Sequence, residues 1–386
     1  MTTTTVAVRV DDGVLTIGLL LPESGEGATI GQPLIDAASE AVRLINEAGG
    51  VLGRPVEIVD GFDEGSNATT ARDAIGSLID RDVDAVVGPA SSTVALATLD
   101  ELFSEGVLTC SPTATSLALD QFPSSDLFFR TAPSDSLQAT AIARYAEQTG
   151  AREAAVGYLD DAYGRPLAEA TIAALQASGL SVVTETRFTA QAESLKDEAM
   201  ELSESDVGVL VLIADGEQGT RMLSELGEVA GLFAGRELPE IIVNDAIRRP
   251  PSPQLVQALA PDVRERVVGV SPLALGTEPG EPPGPFATNA FDCVNLIALA
   301  AVQAGTDNPE AMATQMVPAS IGGVSCREFA DCIQLLDEDR NVDYDGPGGA
   351  VDIGADGDPM RARFDLFEFD ENGDDVSKPS GMTMNR

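Results

Sequence analysis

Val83–Thr115 reads VDAVVGPASSTVALATLDELFSEGVLTCSPTAT, and this stretch decides the fold. Val83–Val87 is a short apolar run, the composition of a strand buried on both faces. Gly88-Pro89 ends it, and Ser91, Ser92 and Thr93 supply helix-capping types. A helical pattern then runs from about Thr93 to Glu105. Val107–Cys110 is a second apolar run, stopped by Ser111-Pro112. Strand, helix and strand with short connections predict two parallel strands joined by a helical crossover.

The same alternation extends in both directions. Upstream, Val14–Leu21 reads as a strand ending at Pro22. In Gly31–Ala48, Leu34, Ile35, Ala38, Ala41, Val42 and Ile45 recur at three- and four-residue spacing, which predicts an amphipathic helix closed by Gly49-Gly50. Val56–Asp60 is a strand and Asn67–Asp80 a helix. A second series starts near Ser134, with helices over Asp135–Thr149, Arg165–Ser178, Glu193–Ser203 and Gln218–Ala230. Strands Ala154–Leu159, Leu180–Val183, Val207–Ile213, Glu240–Val243 and Val267–Val270 alternate with them. The Pro/Gly-rich segment Gly276–Pro285 precedes a long helix, Phe286–Ala304. The tail turns to β at Ala350–Ile353 and Arg363–Phe369, with Asp356-Gly357-Asp358 as a hairpin signal. The fold class is α/β, with two units that each carry a mostly parallel sheet flanked by helices.

At 386 residues the chain has room for two or three domains of roughly 150 residues. It carries 23 Lys+Arg against 63 Asp+Glu, a net charge of −40, and no His. That balance excludes nucleic acid and anionic lipid as partners, which need Lys and Arg to replace counterions. Without His there is no Ser-His-Asp triad, no Cys-His dyad and no His metal ligand. No nucleophile–base pair, metal motif or cofactor motif is visible, so a binding protein is expected rather than an enzyme. No apolar run is long enough for a membrane-spanning helix. Met1–Thr5 has no basic or apolar signal character, which leaves a cytosolic protein or a chain that starts after a removed export signal. Cys326 and Cys332 stand six apart in GGVSCREFADC, the spacing of a local disulfide in an oxidising compartment, with two buried thiols as the other reading. Elimination then pairs Cys110 with Cys293.

Gly25–Gly31 has the spacing G-x-G-x-x-x-G, which departs from the dinucleotide fingerprint, and Glu26 would face a pyrophosphate. A ligand-facing loop fits better. Asp352–Asp358 and Asp370–Asp375 resemble calcium loops only superficially and read as turns. Asn67-Ala68-Thr69 is a formal sequon and reads as a helix cap.

Two motifs remain. Gly88–Thr93 and Ser111–Ser116 end successive strands, so backbone N–H groups and small hydroxyls line one edge of the first sheet. Ser91, Ser92, Thr113, Ala114 and Thr115 are its candidate ligand contacts. Asp160–Gly164, with Tyr163, ends the first strand of the second unit. Asp215-Gly216 and Asn244-Asp245-Ala246 end later ones. Hydroxyls and amides for a carboxylate, with Asp245 as an acid for an ammonium, suit an α-amino acid, whose two poles both need partners once desolvated. Tyr163 would cover the ligand.

In order, LLPESG, GQPLIDAASEAVRLINEAGGVLGRPVEIV, VVGPASS, SPTATS, FFRTAPSD, DDAYGR and FDCVNLIALAA resemble the solute-binding proteins of branched-chain amino-acid (Leu/Ile/Val-type) ABC transporters. The resemblance runs from about Val14 to Phe369. It implies a two-lobed type I periplasmic-binding-protein fold with three hinge crossings. Lobe 1 would be 1–131 plus 273–343, and lobe 2 would be 132–272 plus 344–386. It also implies that positions matching Ser92, Thr113 and Thr115 grip the ligand's α-carboxylate and α-ammonium. Asp245 would take the ammonium, and Tyr163 would close over the ligand. The chain departs from the family pattern in places. Asp245 is one methylene shorter than the Glu of the best-known members. Ala214–Glu217 lacks their tyrosines, and Ile30 stands where an aromatic often sits. Asp160, Asp161, Asp215 and Glu217 read as solvated acids near the mouth, with selection of a polar or cationic ligand as the other reading. The expected role is an extracytoplasmic monomer, periplasmic or a cell-surface lipoprotein. It would deliver an amino acid or similar small molecule to ABC permease subunits by hinge closure. A receptor's sensor module and a binder of non-amino-acid carboxylates are the alternatives.

Overall fold

A computed structural model describes residues 11–25, 27–120, 122, 125–230, 239–248, 253–272 and 286–386. Met1–Thr5, Glu26 and Gly276–Pro285 lie outside the described residues. The chain divides into two units: residues 1–134 with 274–362, and residues 135–273 with 363–386. It passes from one unit to the other three times.

In the first unit the order is β1 (Thr16–Leu21), α1 (Ala28–Glu47), β2 (Glu57–Asp63), α2 (Ala68–Ile79), β3 (Ala85–Val87), α3 (Ser92–Ser104), β4 (Leu108–Ser111) and β5 (Phe128–Arg130). The strands pair in the order β2-β1-β3-β4-β5, every pair parallel. Side chains alternate across the sheet. Ile17, Leu19 and Leu21 enter a core with Leu34 and Ala38 of α1. Leu20 and Val86 enter the opposite core with Ile75 and Leu78 of α2 and Leu99 of α3. The Asn67 side chain caps α2, accepting from Thr69 N and Thr70 N, which is the cap that its sequence context predicts.

The second unit opens with α4 (Asp135–Gln148), β6 (Glu153–Leu159), α5 (Gly164–Ala177), β7 (Ser181–Phe188), α6 (Lys196–Glu204), β8 (Val209–Ile213), α7 (Gly216–Ala230) and β9 (Glu240–Asn244). Two short helices, α8 (Pro253–Gln257) and α9 (Pro261–Arg264), lead to β10 (Val267–Pro272). The chain then adds α10 (Ala287–Ala304), α11 (Pro309–Ser320), β11 (Val324–Cys326), α12 (Phe329–Asp337) and β12 (Val342–Tyr344) to the first unit. A hairpin, β13 (Arg361–Phe369) and β14 (Asp375–Asn385), completes the second sheet in the order β14-β13-β10-β9-β8-β6-β7. Its five parallel strands repeat the order of the first sheet, second-first-third-fourth-fifth. β13 runs antiparallel to β10, with Gly269 opposite Phe367. A Cβ on Gly269 would overlap the Phe367 ring, so glycine makes room for it.

Three expectations change. The predicted hairpin of Ala350–Ile353 with Arg363–Phe369 does not form. The segment before β13 has only the isolated bridge Ile353↔Pro359, and the real partner of β13 is β14. Gly357 is drawn away from a hairpin because its carbonyl accepts the Arg130 N–H at 2.9 Å. Residues 344–362, assigned from sequence to the second lobe, lie in the first unit, where Tyr344 reaches Asp292 and Asp358 reaches Arg130. Finally, α10 is long and apolar enough to cross a membrane, but most of it is buried in the first unit's core. Both disulfides form: Cys110–Cys293 ties β4 to α10, and Cys326–Cys332 ties β11 to α12.

Candidate functional site

Ligands of open α/β sheets bind beyond the carboxyl ends of the strands, beside the point where strand order reverses. In the first unit that point lies between β1 and β3, and it exposes the loop after β3. There Gly88 holds φ +122, and a Cβ on it would strike the Leu20 carbonyl. The loop turns straight into α3, whose cap Ser91 accepts Val94 N at 3.4 Å.

The first four N–H groups of a helix lack intrahelical partners, and sequence reading offers those of this loop to a ligand anion. The structure divides them. Glu64, directly after β2 and 1% exposed, accepts Ala90 N at 2.7 Å and Ser91 N at 3.0 Å. Burial pushes its carboxyl up to about 7, against the pull of those two amides. Ser92 N and Thr93 N have no protein acceptor among the described residues.

The hydroxyls divide too. Thr113 donates its proton to Ala90 O at 2.6 Å, which leaves its oxygen with acceptor capacity only. Ser92 Oγ accepts Ser116 N at 3.2 Å and keeps its proton to donate. Thr115 is 7% exposed beside them. Ala114 is engaged on both sides. Its N–H goes to Ser111 Oγ at 3.0 Å, and its carbonyl accepts from Arg130 at 3.2 Å.

Arg130, fully buried at the end of β5, supports this loop from below. Nη1 donates to Ala114 O and Ser116 O, Nη2 to Asp120 and Asp358, and Nε to Asp358. All five of its donors are therefore used. Burial alone would lower its pKa, but the Asp358 and Asp120 carboxylates outweigh that and raise it.

In the second unit the reversal lies between β6 and β8. Asn244, at the end of β9, ties the neighbouring loops together. Its Nδ2 donates to Tyr163 Oη at 3.0 Å and Ala214 O at 3.1 Å, and its Oδ1 accepts Ala214 N at 3.1 Å. Next in chain, Asp245 is 9% exposed. Its Oδ1 accepts Gln138 Nε2 at 2.7 Å and the Tyr163 hydroxyl at 3.4 Å, while Oδ2 meets no protein donor among the described residues. Burial, with the charges of Asp245 and Asp135, holds the Tyr163 phenol well above its ordinary pKa, so it stays a neutral donor. Gln138 is itself fixed by Val270 O at 3.0 Å. Asp215 serves as a cap, accepting Gln218 N at 2.7 Å, and Gly216 opens α7 behind it. Burial raises the Asp215 pKa.

Tyr163 and Asp245 thus meet in one network, with Asp215 set apart as a cap. Glu64, Arg130 and Gln138 are the residues sequence reading missed. Among the described residues no group of three His, Cys, Asp or Glu side chains is placed to hold a metal.

A family profile described as "Periplasmic binding protein" matches residues 14–236. The chain belongs to that family. Similar to this binding protein is the chemotactic signal transduction system substrate-binding protein BasB of Halobacterium salinarum, 29% identical over 357 residues, with 88% of this chain and 84% of that one covered. Also similar is the Leu/Ile/Val-binding protein BraC3 of Rhizobium johnstonii, 27% identical over 82% of this chain and 88% of its own. Among solved structures, the branched-chain amino acid transporter substrate binding protein LivJ of Streptococcus pneumoniae, in complex with isoleucine, superposes with a TM-score of 0.69. It is 22% identical, with 95% of this chain and 100% of that chain covered. The fold of this binding protein is therefore the type I periplasmic-binding-protein fold.

Proposed function

We propose that this periplasmic binding protein captures an amino acid or a similar small molecule outside the cytoplasmic membrane, as a monomer, and delivers it to the permease subunits of an ABC importer. The observation that carries the reading is the split of donors and acceptors between the two units. The first unit offers the Ser92 hydroxyl and the Ser92 and Thr93 amides, donors suited to a carboxylate. The second offers Asp245 Oδ2, an acceptor suited to an ammonium. The Thr113 oxygen, its own proton spent on Ala90 O, adds a second acceptor. Tyr163 covers the ligand, and hinge closure of the two lobes is favoured by the contacts the ligand makes only in the closed state.

Isothermal titration with the twenty amino acids and with common carboxylates tests the reading. Binding of one or more amino acids is expected. If none binds but a ligand without an ammonium does, the role given to Asp245 is wrong. A second reading, a sensor subunit that reports to a chemotaxis transducer, is supported by the likeness to the chemotactic protein BasB. A transducer gene beside this one, in place of a permease gene, would favour it.

A further inference from the structure

We propose that Glu64 is a positioning residue for the ligand, an internal carboxylate that occupies the Ala90 and Ser91 amides and so leaves Ser92 and Thr93 as the two amides open to it. The inference rests on the function proposed above and adds a residue to it. Glu64 is placed by the end of β2 and buried to 1% exposure. Each of its oxygens takes one amide, Oε2 from Ala90 and Oε1 from Ser91. Hydrogen bonds to an ionised carboxylate are about twice as strong as neutral ones.

The loop is pinned at its other polar atoms as well. Ser111 Oγ donates to Pro89 O and Thr113 Oγ1 to Ala90 O, both at 2.6 Å. With Pro89 O, Ala90 N, Ala90 O and Ser91 N all fixed by side chains, the next amides along the chain and the Ser92 hydroxyl are held in one orientation. Without the carboxylate, Ala90 N–H and Ser91 N–H would be free to compete for the ligand's oxygens, and the loop could rotate. Burial pushes the carboxyl up to about 7 and the two amides pull it back, so the carboxylate is ionised above that pH and the measurements below are made at pH 8.

The test uses Glu64→Gln, which keeps the shape but places an amide NH2 against one of the two N–H groups. The first measurement is amide hydrogen exchange at Ala90 and Ser91 in the ligand-free protein. The second is L-leucine affinity by titration calorimetry. Leu78→Ala, in the core between α2 and the sheet, serves as the control for simple destabilisation. Slow exchange at both amides in the wild type and fast exchange in Glu64→Gln are expected. A loss of at least tenfold in leucine affinity should accompany this, with the affinity of Leu78→Ala unchanged. Retained slow exchange in Glu64→Gln overturns the proposal. So does wild-type affinity in a Glu64→Gln protein whose two amides exchange freely. A wild type that ignores L-leucine counts against leucine as the ligand only, because the exchange measurement needs no ligand.

Discussion

Arg130 grips both carboxylate oxygens of Asp358, Nε to Oδ1 and Nη2 to Oδ2, each at 2.6 Å, across 228 positions of sequence. Both side chains are buried, with 0% and 2% of their surface exposed. A buried pair is a weak source of stability when complete, but removing one partner leaves an uncompensated charge in the interior. Asp358→Asn is therefore expected to lower the stability of the first unit by about 3–5 kcal/mol, read as a fall in its urea midpoint. A loss below about 1 kcal/mol would mean that Asp120 alone satisfies the guanidinium. Because the same guanidinium holds Ala114 O and Ser116 O, the variant is also expected to bind its ligand more weakly.

The acid of the second unit gives the sharpest test of ligand class. Asp245 spends Oδ1 on Gln138 and Tyr163. Asp245→Ala is expected to weaken an amino-acid ligand more than tenfold, about 1.4 kcal/mol or more. Asp245→Asn can keep the Gln138 contact while losing the charge. Wild type should therefore prefer leucine over its 2-hydroxy analogue, and Asp245→Asn should largely lose that preference. Calorimetric titration of both ligands into the three proteins decides it, and an unchanged affinity in Asp245→Ala sinks the assignment.

Most strands of both sheets are legible in the sequence, because buried parallel strands are continuous apolar runs and their helices carry a clear period, but β5 at one edge of the first sheet and β14 at one edge of the second are not. The hydroxyls of Ser92 and Thr113 are legible as well, since they follow directly on such strands. What each hydroxyl does is not. Thr113 donates to a carbonyl on another loop, and Glu64 reaches amides 26 positions away. Gln138 sits in the first turns of an ordinary amphipathic helix, 107 positions from Asp245, and no local pattern marks it. The tail misleads for a related reason. Asp356-Gly357-Asp358 has turn chemistry, but its groups are claimed by Arg130 and its backbone, which only the fold brings near.

A second buried acid makes stability depend on pH. Asp292, in α10, accepts the Tyr344 hydroxyl at 2.8 Å, and burial pushes it up to about 8 despite that bond. In the unfolded chain an Asp titrates near 4 (about 3.9). Between these values the native state holds a proton that the unfolded state has released, so stability falls as pH rises through this window. Glu64, at about 7, acts in the same direction over a narrower range. Melting temperatures from pH 5 to 8 are expected to fall in the wild type and to fall less in Asp292→Asn, whose Oδ1 can still accept from Tyr344. Equal slopes in the two proteins would show that Asp292 is ionised in the native state.

The net charge of −40 predicts the response to salt. With 63 acids against 23 Lys and Arg, most carboxylates have no cation to pair with, so the field at the surface is repulsive in sum. Several of the pairs that do form are exposed, such as Arg43 with Glu40 and Glu47, and exposed pairs contribute little. Screening therefore removes more repulsion than attraction. Raising KCl from about 0.05 M to 1 M shortens the Debye length to roughly 3 Å, so exposed charges farther apart than that are largely screened from one another. The melting temperature is expected to rise by several degrees over that range, most steeply at the low end where screening changes fastest. The Arg130–Asp358 pair, shielded from solvent, should be insensitive, so Asp358→Asn should lose about the same stability at both salt concentrations. Differential scanning calorimetry across a KCl series, with sucrose as an uncharged control, separates screening from general exclusion of cosolute. A flat KCl series, or one matched by sucrose, would show that the acids are spaced too widely to repel one another.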